Sequence, residues 1–331
     1  MKQSKRSPGL PDLWMTIAQE VKPNHGEDSW CRGFSPDAGL LAVFDGCGGL
    51  GAQRHPKYDL RAQNTCPNET EAFVASRLCA GAFYDAFQTL NAQEDELSAK
   101  KFSALAADYC ARVLTACRPD SGTKIMGSMV KTLPTTVAAA LVIPSGKEYL
   151  VGAIWAGDSR VYLLDAQGLA QLTVDDATVT DPMDNLYEDG ILRNVLTADQ
   201  FPRLNCRCVR VKGPFLVFSA TDGCFGYFST PMEFEGVILA ALHEANNTVE
   251  WERAIQEHIA QVAGDDFTFN LAAYGFGSFP ALKQALRPQL RLLVRDYLSV
   301  VVTLPAEDRA SREALWRRYR SNYLRYMKGD A

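Results

Sequence analysis

LLAVFDGCGG (residues 40–49) runs through five apolar residues and then delivers Asp45 onto a glycine-rich turn. A short apolar run bounded by turn residues reads as a buried strand, so Asp45 stands at a strand end. The pattern recurs along the chain. AGDSR (156–160) carries Asp158, SATDG (219–223) brings Asp222 after the run Phe215-Leu-Val-Phe218, and GDDFT (264–268) sets Asp265 and Asp266 before another apolar stretch. A single Asp-Gly pair is ordinary turn chemistry, because glycine supplies positive φ and the Asp side chain caps its own turn. Four carboxylates leaving four strands are a different matter. Strand ends from distant parts of a chain converge at one edge of a sheet, and carboxylates buried together are costly without a cation. Oxygen donors of this kind suit Mg²⁺ or Mn²⁺ rather than a metal that prefers imidazole or thiolate.

The order and context of these segments resemble the metal-dependent protein phosphatases of the type 2C serine/threonine class, in a bacterial-like form. GEDSW (26–30) is similar to that family's early Glu-Asp segment, DGCGG to its DGxGG, and AGDSRVYLL to its GDSRxY strand. LTVDD (172–176) is similar to LTxDH, ATDG to SDG, and DDFT to the final DNxT. The resemblance spans about residues 14 to 275 in family order.

The resemblance implies a four-layer α-β-β-α sandwich of two antiparallel sheets flanked by helices, where the residues alone support only an α+β class. It further implies two Mn²⁺ or Mg²⁺ ions and, as in many bacterial members, a third. Asp45 would bridge the pair, the Gly46 carbonyl would bind one ion, and Asp222 and Asp265 would complete the second. Glu27 and Asp28 would hold metal-bound waters, and Asp158 would serve the third ion with Asp222. Two close cations lower the pKa of a shared water and present hydroxide to phosphorus, so no covalent protein nucleophile is needed. The substrate implied is a phosphorylated protein, with a cognate Ser/Thr kinase as counterpart. A pseudophosphatase binding module and a small-metabolite phosphohydrolase remain as alternatives.

Three positions depart from the family pattern. Where many members place a phosphate-gripping arginine, five residues before Asp28, this chain has Pro23, which makes Lys22 a shifted candidate. A lysine offers a point charge without the bidentate fork. Cys47 stands where many eukaryotic members have a histidine, and Asp266 replaces the usual Asn. That second carboxylate either raises metal affinity or faces solvent.

At 331 residues, 47% hydrophobic and 22% charged, the chain has the composition of a globular protein able to bury a full core. No run reaches the ~18 apolar residues of a membrane span, and the start lacks an apolar h-region, which reads as cytoplasmic. Nine cysteines without a CxxC pair, and four histidines, argue against a disulfide framework or structural zinc. Cys206 and Cys208 fall on one face of a strand-like stretch. The sequons at Asn68 and Asn246 read as incidental.

Strands are expected over 13–21, 40–44, 135–143, 149–155, 160–164, 206–211, 215–220 and 267–274, with helices over 69–90 and 99–117 and two more between 230 and 263. Residues 50–70 read as a polar loop beside the site, and the acidic stretch 175–200 occupies the position of the family's mobile flap. The division expected is a catalytic domain over 1–276 and a basic helical extension over 277–331. From residue 281 on there are eleven Lys or Arg against five Asp or Glu, a net +6; the whole chain is −5, so the preceding part carries −11. Leu286, Leu290, Leu293 and Tyr297 recur at helical spacing, as do Trp316, Tyr319, Tyr323 and Tyr326. Such helices either dock on the acidic body or serve an acidic partner or anionic surface. Nucleic acid is not expected, since the chain is acidic overall and no recognition motif accompanies the basic face.

Overall fold

The computed structural model describes residues 9–51, 70–92, 97–118, 130–188 and 190–327. Most of the expected 50–70 loop, with Asn68 in it, lies outside the described residues. Among the described residues ten strands form two antiparallel five-stranded sheets. The first is ordered β1 (Leu13–Gln19), β10 (Phe267–Tyr274), β9 (Phe215–Ala220), β6 (Arg160–Asp165), β7 (Gly168–Gln171). The second is ordered β2 (Ser29–Phe34), β3 (Gly39–Phe44), β4 (Val137–Ser145), β5 (Glu148–Ala156), β8 (Asn205–Lys212).

Period-two alternation explains why β3 reads as a continuous apolar run. Leu40, Ala42 and Phe44 face α1 (Glu71–Ala92) and α2 (Ala99–Ala116), while Leu41 and Val43 face the opposing sheet. The inter-sheet layer also takes Val161, Leu163, Val217 and Ala272, and the outer face of the first sheet is covered by α3 (Pro231–Glu244) and α4 (Thr248–Ala260). The result is the four-layer α-β-β-α sandwich. Polar pins cross its centre. Ser219 Oγ donates to the Leu41 carbonyl at 3.2 Å, and Asn270 Nδ2 donates to the Cys31 carbonyl at 3.0 Å.

The C-terminal segment packs on that same outer face. It comprises α5 (Phe279–Leu293), a π-helical turn (Val294–Leu298), the single turn α6 (Ser299–Val301) and α7 (Arg309–Tyr323). Leu282, Leu286, Leu293, Trp316, Tyr319 and Tyr323 are buried in one cluster with Tyr162, Phe218 and Phe234. Gln289 and Tyr319 both hydrogen-bond the buried carboxyl of Glu235 on α3. Both expected stripes therefore bury their apolar faces; only Tyr326, past the end of α7, packs instead beside the inter-sheet layer. Asn246 and Asn247 act locally, Asn247 capping α4 through Glu250 N at 3.0 Å. No helix among the described residues is long and apolar enough to cross a membrane.

Candidate metal centre

Strand register brings the acids together. Ser29 pairs with Phe44, so Asp28 and Asp45 lie next to one another just beyond β2 and β3. Arg160 and Phe269 both pair with Ala220, which sets Asp158, Asp222 and the Asp265-Asp266 pair at one end of the other sheet. Both ends belong to the same edge of the sandwich, for the Asp45 carboxyl feels Asp222, Asp28, Asp158 and Asp265 together.

Their electrostatics follow from that crowding. Burial first, then the neighbouring carboxylates, hold Asp45 well above the ordinary Asp value. Asp28 is pushed up to about 8 by burial, against the hydrogen bond that Thr221 Oγ1 donates to Oδ2 at 2.9 Å. Asp158 is likewise raised to about 8 and Asp222 to about 6, burial leading in each. Asp265, though exposed, and Glu27 are raised in the same sense. Arg160 acts on Asp158, yet its guanidinium is already committed to the Asp175 carboxylate, at 2.9 and 2.6 Å. Without a cation among them, burial and mutual repulsion disfavour the ionised form of these carboxyls.

The residues fit a hard divalent ion by donor chemistry. All the proposed side-chain ligands are carboxylates, and Asp158 Oδ1 is buried without a hydrogen-bond partner among the described residues. Among the described residues no three His, Cys, Asp or Glu side chains already stand in a metal-holding arrangement. A carbonyl donor and waters fit such an open set, and Gly46 is buried in an isolated bridge to Thr135 beside Asp45, whose carbonyl accepts from Thr136 N at 2.8 Å and Thr135 Oγ1 at 2.7 Å.

Asp266 is engaged by backbone N–H groups of the chain itself. Oδ1 accepts from Val21 N at 2.8 Å and Oδ2 from Glu27 N at 3.0 Å, so the second carboxylate of GDDFT staples down the loop that carries Lys22, Glu27 and Asp28. Two glycines make the close approaches possible. A Cβ on Gly223 would meet the Asp266 carbonyl at 2.0 Å, and one on Gly48 would meet Glu27 Oε2 at 2.1 Å. Glu27 also accepts from Thr70 Oγ1 at the start of α1.

Lys22 is exposed, next to the stapled Val21. Arg32, the other cation near the loop in sequence, donates to Thr16 Oγ1 at 2.8 Å and lies 3.8 Å over the Trp14 ring. Sequence reasoning missed Arg77. From α1 it donates to the Gly26 carbonyl at 3.2 Å, and with Asp28, Asp266 and Thr268 it lines a cleft of about 310 Å³. A second cleft, of about 240 Å³, lies on the Asp158 and Asp222 side, walled by Asp175, Asn185 and Tyr227. LTVDD builds that wall: Asp175 binds Arg160 and Asn185, and Asp176 accepts from Gly157 N, Asn194 and Asn205. Cys47 is raised well above the ordinary thiol value by burial and then by Asp45, which keeps it a neutral thiol.

This architecture is the fold of the PPM-type Ser/Thr phosphatases. The serine/threonine phosphatase PstP/Ppp of Mycobacterium tuberculosis superposes with a TM-score of 0.52 at 18% identity, over 80% of this chain and 98% of that one. Stp1 of Staphylococcus aureus gives 0.55 at 16% identity, over 82% and 99%. The catalytic domain of PstP in complex with two manganese ions gives 0.51 at 17% identity, over 79% and 98%. No protein-family model matches the chain, and no curated protein matches it.

Proposed function

We propose that the chain is a metal-dependent phosphoserine/phosphothreonine protein phosphatase acting through two Mn²⁺ or Mg²⁺ ions, with a third at Asp158. The observation that carries this reading is the edge cluster of Asp28, Asp45, Asp158, Asp222 and Asp265, carboxyls crowded against one another with Asp158 Oδ1 unpartnered among the described residues. Likeness in fold to a phosphatase that binds two manganese ions supports it. Asp45, the Gly46 carbonyl, Asp222 and Asp265 would hold the ions, and Glu27 and Asp28 would position water at them. When bound, such ions activate water for attack on phosphorus and neutralise the phosphoryl oxygens. The protein's part is to fix its acids at strand ends, to hold the Lys22 loop through Asp266, and to present Lys22 to the phosphate as a point charge. A cognate kinase would supply the phosphoprotein.

Pro23, in the place of the family's arginine, favours a second reading, a pseudophosphatase that binds without turnover. Hydrolysis of p-nitrophenyl phosphate and of a phosphothreonine peptide, with Mn²⁺ and with EDTA, separates the two. Turnover that needs Mn²⁺ and is abolished by Asp45→Asn in a folded protein is expected. Metal-saturated Asp45→Asn retaining most of the wild-type rate overturns the mechanism, and no turnover of either substrate selects the pseudophosphatase.

A further inference from the structure

The cations of the C-terminal segment are used unequally. On and after α7, Arg309 pairs with Asp184 at 3.1 Å, Arg320 with Asp181 at 3.7 Å and Arg325 with Asp165 at 3.1 Å, while buried Arg312 donates to the Pro305 carbonyl at 2.7 Å. α5 differs. Among the described residues the Arg287 and Arg291 guanidiniums make no hydrogen bond or ion pair, and Lys283 Nζ donates only to the Ala245 carbonyl, at 2.7 Å.

These three cations stand at i, i+4 and i+8 on one face. With His243, Pro280 and Leu290 they line a groove of about 600 Å³ between the last turn of α3 and α5. His243 Nε2 is out of solvent and without a partner among the described residues. Burial, and then Lys283, Arg287 and Arg291, hold that imidazole below its ordinary pKa. A groove lined by three cations and a buried imidazole nitrogen without a partner among the described residues is built for negative charge.

We propose that this groove docks an extended acidic peptide segment of a partner protein, with carboxylates or phosphates on alternate residues. Cations four residues apart on a helix recur every ~6 Å along its axis. Alternate residues of an extended peptide recur every ~6.6 Å, so three acids meet three cations with little accumulated error. The intervening residues of the peptide would lie over Leu290 and Pro280. A single phosphate would satisfy one rung of this ladder, and nucleic acid is disfavoured by the chain's net −5. The proposal is independent of the phosphatase reading.

The test uses the full chain and two labelled octapeptides of one composition, alternating (Glu-Ser)₄ and blocked Glu₄Ser₄, titrated by fluorescence anisotropy at low salt. The alternating peptide is expected to bind more tightly, to raise the titration midpoint of the His243 NMR signal, and to weaken about tenfold in Arg287→Gln/Arg291→Gln. Both arginines are exposed, so an unchanged melting temperature certifies the fold of that variant. Lys283→Gln is the fallback and should weaken binding in the same direction. Equal affinity for the two peptides, or binding indifferent to the arginines, overturns the docking groove. Arginine-dependent capture by phosphatidylserine vesicles without discrimination between the peptides overturns it in favour of a membrane surface.

Discussion

Trp316 on α7 donates its indole N–H to Asp181 Oδ1 at 2.9 Å, which ties the C-terminal segment to the loop between β7 and β8. Arg309 grips the same loop through Asp184 at 3.1 Å and Glu188 at 3.6 Å. At its other end the loop is fixed by the buried Arg160–Asp175 pair beside the acidic cluster. The stretch expected to be a mobile flap is thus held from both sides, and it walls the 240 Å³ cleft.

Trp316→Phe keeps an aromatic ring but removes the donor and part of the buried indole, which should cost more than the ~1 kcal/mol of the hydrogen bond alone. If the loop shapes substrate access, KM for a phosphothreonine peptide should rise while KM for p-nitrophenyl phosphate, which is too small to touch the loop, stays constant. Equal changes for both substrates would show that the loop does not select.

The acidic cluster makes a pH prediction for the protein stripped of metal. Asp28 and Asp158 are raised from 3.8 to about 8, and Asp222 from 3.8 to about 6. Across this window the folded state retains protons that the unfolded chain has released. The stability tied to those protons is therefore fully present below the unfolded value and is lost as pH rises through 6 to 8. In EDTA the melting temperature should be lower at pH 8 than at pH 5.5, and Mn²⁺ should raise it more at pH 8, where the acids give up fewer protons to the ion. A Mn²⁺-induced rise that is the same at both pH values would mean that these carboxylates do not hold the metal.

Lys22 and Arg77 make separable kinetic predictions. An exposed lysine that pairs with the phosphate in both ground and transition state should, as Lys22→Ala, raise KM several-fold with little change in kcat. Arg77 holds the Gly26 and Glu27 carbonyls, so Arg77→Ala should loosen the loop bearing Glu27 and Asp28 and lower kcat as well. An unchanged KM in Lys22→Ala removes it from the site. In that event Arg77, already lining the cleft with Asp28, is the cation to pursue ahead of Arg32, which is spent on Thr16 and Trp14.

Asp45, Asp158 and Asp222 were legible as strand-end acids because each closes a run whose two faces are both buried, a signal that needs no partner to be read. β2 was not, since SWCRGF mixes Trp30 and Arg32 on one face with Cys31 and Gly33 on the other, and its pairing to β3 is what makes it a strand. β7 has four residues, too few to establish a period. The role of Asp266 was hidden for another reason. A carboxylate reads the same whether it meets a cation or two amide N–H groups, and Val21 and Glu27 lie 245 and 239 residues away. Arg77 likewise reads as one more charge on an amphipathic helix until the fold sets it against Gly26.

The tail offers the sharpest stability test, because its apolar stripes and its polar contacts both terminate in the body. Removing residues 281–331 would strip Trp316, Tyr319 and Tyr323 from the cluster containing Tyr162 and Phe234 and expose that surface to water. It would also leave the buried Glu235 carboxyl without its Gln289 and Tyr319 donors. The truncated protein should melt well below the full chain and aggregate. Tyr319→Phe isolates the polar part: it keeps the ring, deletes one donor to a buried acid, and should cost about 1–3 kcal/mol, measured by urea denaturation. The loss should shrink toward acid pH, since burial raises the Glu235 pKa and a protonated carboxyl needs its donors less. A truncated chain that melts like the full one and stays monomeric would mean that the segment contributes nothing to the core it covers.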